Sequence, residues 1–316
     1  MKVMELGEFG LIRRIAQDID DARVIKGIGD DAAVIDAGDK YLLVTTDMLV
    51  QNDHFSLDWS TPKQIGIKAM ESNVSDIAAM GGTADYAFVS ICLTRDTTVK
   101  FVDGLYEGLR FSANNHNVKI IGGDTTHGGL VVINIAILGT VAKDMLRLRS
   151  HAKPGDLIAV TGTLGGSAAG LQLLTDKVHC DKRLLQKHLE PGCRAKAALA
   201  IAKHANAMID VSDGLASEVR HICEESRVGA EIIREKIPLS KETKEAANLT
   251  NKDPYYFALN GGEDYELVFT IPENRAESLR NEFSDFTVVG KIKEEGISLL
   301  HNGKPVDLGS GYDHFR

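Results

Sequence analysis

The chain runs to 316 residues, 43% of them hydrophobic and 26% charged, and its 36 Lys plus Arg against 45 Asp plus Glu give a formal net charge of −9. That balance argues against a nucleic-acid surface, which needs a basic patch, and leaves any anionic substrate to be met by local cations. The longest apolar run, residues 130–142, is broken by Asn134 and is too short to span a bilayer.

Residues 1–16 interleave Glu5, Glu8, Arg13 and Arg14 with apolar positions, a pattern unlike a signal peptide. Phe9, Ile12, Ala16 and Ile19 keep a helical spacing and predict an opening amphipathic helix. Residues 32–35 and 41–46 predict a strand pair about the turn Ala37-Gly38-Asp39. Thr61-Pro62 starts a helix that Gly81-Gly82 ends, so Asp76 falls near a helix C-terminus, where the macrodipole disfavours a carboxylate. A strand at 84–93, a helix marked by Val102, Leu105, Leu109 and Ala113, and strands at 119–121 and 130–141 follow. The last of these has little polar alternation, which predicts cover on both faces.

Lys153-Pro154-Gly155-Asp156 is the strongest boundary turn, and the length accommodates two domains of roughly 150 residues. Beyond it we expect a strand at 156–161, a glycine-rich loop, a helix from about Ser167, helices at 182–189 and 194–205, and a strand into Asp213. A helix at 215–226, a strand at 230–233, a polar linker at 240–252 and a strand at 265–271 come next. A helix at 272–283 and strands at 286–292 and 297–301 lead to the hairpin signal Asn302-Gly303. Hairpins mixed with crossovers predict an α+β protein of two mixed domains rather than one doubly wound sheet. Cys92, Cys180, Cys193 and Cys223 show no CxxC spacing, so free thiols in a reducing cytoplasm are expected.

The chemistry is concentrated in acids that close apolar runs. Gly27-Ile28-Gly29-Asp30-Asp31 sets two carboxylates side by side; like charges about 4 Å apart cost roughly 4 kcal/mol at an effective dielectric near 20. The same syntax recurs at Thr45-Thr46-Asp47, Gly122-Gly123-Asp124 and Asp210-Val211-Ser212-Asp213, and Asn73-Val74-Ser75-Asp76 adds an acid on a helix. Taken singly each is an ordinary turn. Together, with no Lys or Arg adjacent in sequence, they point to hard divalent cations and, through those, to phosphates.

Other patterns carry less. Gly162-Thr163-Leu164-Gly165-Gly166-Ser167 lacks the Gly-Lys-Ser/Thr end of a phosphate loop and reads first as a strand-to-helix turn, though a helix N-terminus could hold an anion. The histidines lack zinc spacing. Arg149, in Arg147-Leu148-Arg149, is either a solvated linker residue or a phosphate clamp. No nucleophile with a base partner can be named, which suits phosphoryl transfer, a reaction run by positioning and electrostatics.

Gly29-Asp30-Asp31, Thr45-Thr46-Asp47 with His54-Phe55, Asn73-Val74-Ser75-Asp76, Gly122-Gly123-Asp124, Ser212-Asp213-Gly214, Gly261-Gly262-Glu263-Asp264-Tyr265 and the terminal Gly311-Tyr312-Asp313-His314-Phe315 resemble the thiamine-monophosphate kinase family. That family sits in a superfamily with aminoimidazole ribonucleotide synthetase. The resemblance implies an N-terminal metal- and ATP-binding, dimerising sheet domain at 1–146 and a larger C-terminal α/β domain at 147–316. It implies transfer of the γ-phosphoryl of ATP to thiamine monophosphate by a cytoplasmic homodimer that uses several Mg²⁺ ions. It assigns Asp31, Thr45, Thr46, Asp47, Asp76, Asp124, Asp210 and Asp213 to metal. Tyr106, Gly123, Arg149 and Ser212 go to ATP, and His54, Glu263 and Tyr312 to the thiamine phosphate. Gln51-Asn52-Asp53 and His151 depart from the family pattern. Two alternatives stay open at this point: a ligase-type ATP-dependent enzyme of the same superfamily, and a non-catalytic metal- or nucleotide-binding regulator.

Overall fold

The computed structural model describes residues 2–17 and 19–312, the Phe9 side chain excepted; Asp313, His314 and Phe315 of the terminal motif lie outside the described residues. Helix α1 (Val3–Ile15) breaks at Gly7 (φ 69°) and stops at Ala16, which is extended, so the apolar spacing through Ile19 does not continue it. The chain runs on into β1 (Val24–Lys26), β2 (Ala33–Asp36) and β3 (Lys40–Val50). Helix α2 (Pro62–Ala79) follows, then β4 (Thr83–Leu93), α3 (Val99–Asn115), β5 (Lys119–His127) and β6 (Val132–Ala142). The strands form a six-stranded sheet in the order β1-β2-β3-β6-β4-β5, parallel only between β4 and β5.

Helix α2 organises the molecule. Thr61 caps it through a reciprocal pair with Gln64, and Pro62 occupies its first turn, where no amide hydrogen is missed. Its Gly66 lies so close to the Leu105 carbonyl of α3 that a Cβ there would collide, as one at Gly108 would with Lys63. Glycine at the crossing lets the two helix backbones touch. One side of α2 packs on Leu43, Ile133, Ile135 and Ile137, buried side chains each worth about 1.5–3 kcal/mol.

The second half begins with β7 (Leu157–Thr161), α4 (Gly166–Thr175), α5 (Arg183–Leu189), α6 (Ala195–Ala202), β8 (Ala207–Asp210) and α7 (Leu215–Ser226). It continues with β9 (Gly229–Ile233), α8 (Lys241–Thr250), α9 (Pro254–Asn260), β10 (Leu267–Ile271) and α10 (Glu273–Glu282). β11 (Phe286–Lys293), β12 (Ile297–His301) and β13 (Lys304–Val306) complete a seven-stranded sheet ordered β13-β12-β9-β11-β7-β10-β8. Asn302 (φ 51°) and Gly303 (φ 74°) make the expected tight hairpin between β12 and β13.

Residues 240–252 are not a linker: Ser240 caps α8, whose buried side is made of Thr243, Ala246 and Ala247. The strand expected to reach Asp213 ends at Asp210, and Tyr265, at φ 49°, stands before β10 rather than in it.

The architecture is α+β, two mixed sheets with helices. What joins them is α2, whose end lies against β8, the edge of the second sheet. Ala78 and Ala79 share an apolar cluster with Ala198, Ile201, Met208, Leu267 and Phe269. The outer face of the first sheet is different. β6 is fully buried on one face and half-buried on the other, short of the full cover expected, and on the neighbouring strands Met48, Tyr86, Phe88 and Ile121 are exposed.

Candidate active site

A wholly apolar helix could fill the seam between two sheets, but α2 buries Lys68, Glu71, Ser72, Asn73 and Ser75 there. Buried polar groups need partners, so each fixes a neighbour. Asn73 Oδ1 accepts from the Asp47 amide (3.0 Å), and Ser72 supports the Asp47 carboxylate. Thr45 Oγ1 donates to Asp76 Oδ2 (2.6 Å), while Ser75 Oγ donates to Asp210 Oδ2 (2.6 Å). Strand β3, helix α2 and the end of β8 thereby meet at one point.

Asp31, Asp76 and Asp210 each bring a carboxylate oxygen within 4.8 Å of the others. Burial first, then the charges of Asp47, Asp210 and Asp31, push Asp76 well above the usual carboxylate range. Burial and the Asp31 charge do the same to Asp210, and burial raises Asp47. The Asp31 carboxyl is also raised by burial, although Arg149 Nη2 lies 2.5 Å from its Oδ1.

Arg149 is thus neither a solvated linker nor free: it is the buried counter-ion of Asp31, with its amide on Asp30 Oδ2 (3.2 Å). The acids do have a neutralising arginine, supplied 118 positions away. One guanidinium does not balance the cluster, and Asp31 Oδ2 remains buried with no hydrogen-bond partner. An all-oxygen, anionic donor set with an unpaired buried oxygen fits a hard divalent cation.

The acids open into a cavity of about 620 Å³ whose walls include Asp47, Asp76, Ser212, Asp213, His54, Glu263 and Tyr312. Gly262 seats this wall, packed so tightly on the Ser212 carbonyl that no Cβ fits. Glu263 follows in the left-handed region (φ 64°), strain of the kind that collects at ligand sites. Its carboxylate meets Lys68 Nζ at 2.6 Å and His188 Nδ1 at 3.4 Å. Burial would raise Glu263, but the Lys68 charge and the His188 contacts override it and hold it down at about 2. Lys68 also donates to the His54 carbonyl (2.8 Å), and Tyr312 Oη lies 3.4 Å from Asp53 Oδ1.

Four of the expected residues stand apart. Asp47, Ile135, Val89 and Gly123 lie in one row across β3, β6, β4 and β5, so Gly123 is three strands from Asp47, about 14 Å at ordinary strand spacing. Tyr106, Gly123 and Asp124 line a separate shallow pocket of about 450 Å³. Thr46 alternates to the outer face, where its Oγ1 accepts from Asn134 (2.9 Å).

The glycine-rich loop is a strand-to-helix turn whose α4 N-terminus is already filled. Asp264 accepts from the Gly165 and Ser167 amides. Lys68, His188 and Glu218 were missed from the sequence; Glu218 Oε1 accepts from the Asp213 amide (2.8 Å). Lys68, Ser72 and Asp76 form an i, i+4, i+8 polar stripe, which was the available signal for Lys68.

Residues 29–141 match the model of the AIR synthase related protein N-terminal domain, and residues 153–301 that of its C-terminal domain. The chain is 37% identical to the thiamine-monophosphate kinase of Aquifex aeolicus, covering 100% of each, and 40% identical to that of Haemophilus influenzae, covering 99% of each. It superposes on the solved structure of AaThiL complexed with AMPPCP and TMP with a TM-score of 0.90 at 37% identity over 99% of each chain. Hydrogenase maturation protein HypE in complex with ATP, at 19% identity and a TM-score of 0.72, covers 92% of this chain and 90% of its own and shares the fold alone. On this likeness across nearly its whole length, the chain belongs to the AIR synthase related family and, within it, to the thiamine-monophosphate kinases.

Proposed function

We infer that this chain transfers the γ-phosphoryl group of ATP to thiamine monophosphate, giving thiamine diphosphate and ADP. The observation that carries the inference is the cavity that Asp47 and Asp76 line together with Glu263, His54 and Tyr312, Asp76 being the member through which the Asp31–Asp76–Asp210 cluster reaches it, in a chain that superposes end to end on a relative solved with an ATP analogue and TMP. A phosphate monoester has a second pKa near 6 and is mostly dianionic at neutral pH, so its oxygen attacks without a general base. The lack of a nucleophile–base pair in the sequence agrees with that.

The chain's own groups then have three tasks. Asp31, Asp47, Asp76, Asp210 and Asp213, with Thr45, would hold Mg²⁺. When bound, Mg²⁺ supplies charge neutralisation and orientation for an in-line displacement. Arg149 and Ser212 would bind the nucleotide, and for Arg149 that means exchanging its Asp31 contact for a phosphate oxygen. Glu263, kept ionised by Lys68, offers a fixed negative charge to the cationic thiazolium ring; Tyr312 would stack on a ring and His54 would close the phosphate end.

Tyr106, Gly123, Asp124 and the outer face of Thr46 enter this scheme through a homodimer. The bare sheet face with Met48, Tyr86, Phe88 and Ile121 supports pairing of two first sheets. It would bring Asp124 of the partner subunit toward the metal site. The proposal keeps the 1–146 and 147–316 domain division. It puts the enzyme in the cytoplasm; among the described residues no helix is long and apolar enough to cross a membrane. The test is incubation with ATP, Mg²⁺ and thiamine monophosphate. Thiamine diphosphate formed one-for-one with ADP supports the assignment, and ADP release with no diphosphate rejects it.

A further inference from the structure

A second group of metal-ligating side chains lies on a different face of α2. Glu71, one position before Ser72, turns toward the end of α3 and the chain entering α6. Its Oε1 accepts from Ser112 Oγ (2.6 Å) and lies 3.0 Å from His116 Nε2; its Oε2 accepts from the Cys193 amide (2.9 Å). Cys193 Sγ stands 3.8 Å from His116 Nε2. One carboxylate oxygen, one imidazole nitrogen and one sulfur therefore lie within 4.8 Å of one another, drawn from three separate elements.

We propose that Glu71, His116 and Cys193 form a site for a borderline-soft divalent cation of the Zn²⁺ class, distinct from the oxygen-lined magnesium cluster. The donor set decides the class. A thiolate and an imidazole select Zn²⁺ and its neighbours and are poor ligands for Mg²⁺. The spacings match tetrahedral coordination, in which ligands about 2.0–2.3 Å from the ion stand roughly 3–4 Å apart. Ser112 and the Cys193 amide act as the outer contacts that hold a ligating carboxylate in place.

The site has access, since Cys193 lines a cavity of about 630 Å³ together with Lys187, Glu190 and Arg194. That leaves the fourth coordination position to water. Binding forms the S–metal bond as the S–H bond of the Cys193 thiol breaks, with the proton released to solvent.

The ordinary alternative is a Glu71–His116 ion pair that happens to have a thiol beside it. The two differ in what the sulfur does. The full-length protein, stripped of transition metals and kept in excess Mg²⁺, is titrated with Co²⁺ and then with Zn²⁺. The expected result is one equivalent of Co²⁺ giving a sulfur-to-cobalt charge-transfer band and tetrahedral visible bands, both erased by Zn²⁺. Cys193→Ala should abolish the charge-transfer band. His116→Asn should weaken Co²⁺ binding by more than the roughly 10- to 100-fold that loss of an outer contact costs.

To guard against a variant that misfolds, the protein carrying Cys92→Ala, Cys180→Ala and Cys223→Ala, with Cys193 as its one thiol, should keep the band. Absence of the band from the wild-type protein, its persistence in Cys193→Ala, or its loss from a folded triple variant would each overturn the proposal.

Discussion

The two ends of α2 are charged in opposite styles. At its N-terminal half the buried Lys68 pairs with the half-buried Glu263, with His54 and His188 around them, and the balance is close to neutral. At its C-terminal end Asp76 faces Asp31, Asp47 and Asp210 with Arg149 as the counter-ion, and an oxygen of Asp31 has no partner. The first end is complete as a protein. The second carries more carboxyls than its one counter-ion balances, and they are driven up by burial and by each other. A site for an organic cation can be preformed, whereas a site for metal and polyphosphate must carry excess negative charge into the fold.

The largest effect should come from the incomplete end. Asp76→Asn keeps the shape but removes a charge, and turnover should fall by on the order of a thousandfold, as when a main electrostatic contact to a transition state is lost. Metal-free stability should stay level or rise, since three like charges lose one repulsive neighbour. Steady-state kinetics and urea unfolding check both; Asp47→Asn should behave alike. Unchanged turnover in both variants at limiting Mg²⁺ would dismiss the metal role.

The completed end should fail the other way. Lys68→Met leaves the half-buried Glu263 with His188 alone beside it, at a cost in unfolding free energy below the roughly 3–5 kcal/mol of a fully buried pair. Adding Glu263→Gln should recover most of that stability and none of the activity. A double-mutant cycle with no coupling would mean that the pair is not a unit.

Proton linkage separates the ends again. Glu263 sits at about 2 in the folded protein, below its unfolded value near 4.3, so its stabilisation is present above the latter and lost as pH falls through the former. Asp30 is raised to about 7, by burial and then by the Asp31 charge, and Asp76 and Asp210 are raised as well. Their contribution is present below the unfolded value near 3.9 and lost as pH rises through the folded one. Metal-free protein should therefore lose stability from about pH 4 up to about pH 7, the span between the unfolded and folded values of Asp30, and Mg²⁺ should stabilise it more at about pH 7 than at about pH 5. Thermal unfolding with and without Mg²⁺ reads this directly; equal stabilisation at both pH values would contradict it.

The sequence made the incomplete end visible and hid the complete one. Acids repeated at the ends of apolar runs are conspicuous because like charges rarely recur there without a cation, and Thr61-Pro62 with Gly81-Gly82 bounded α2 to within a residue or two. Lys68 shows only the polar stripe it shares with Ser72 and Asp76: its partner Glu263 is 195 positions away, and only the folded chain joins them. Arg149 and Asp31 each stand out in the sequence, but their pairing does not, for the same reason. α8 read as a linker because its buried side is Thr243, Ala246 and Ala247, too small to mark a period. The distance of Asp124 from Asp47 follows from strand order, which local sequence does not encode.

The smallest effect is the one that tests the substrate wall. Tyr312 is 42% exposed and its hydroxyl lies 3.4 Å from Asp53, a bond with water in ready competition. Burial, then the Asp53 charge, pushes the phenol up to about 12, so it stays protonated at working pH and acts as a neutral ring. If its use is the ring face, Tyr312→Phe should leave KM for thiamine monophosphate within about twofold, while Tyr312→Leu should raise it several-fold, since losing an aromatic or cation–π contact costs about 0.5–2 kcal/mol. KM for ATP should move in neither variant. A Tyr312→Phe variant as weak as Tyr312→Leu would shift the role from the ring to the hydroxyl, and would tie substrate binding to Asp53 rather than to a stacked face.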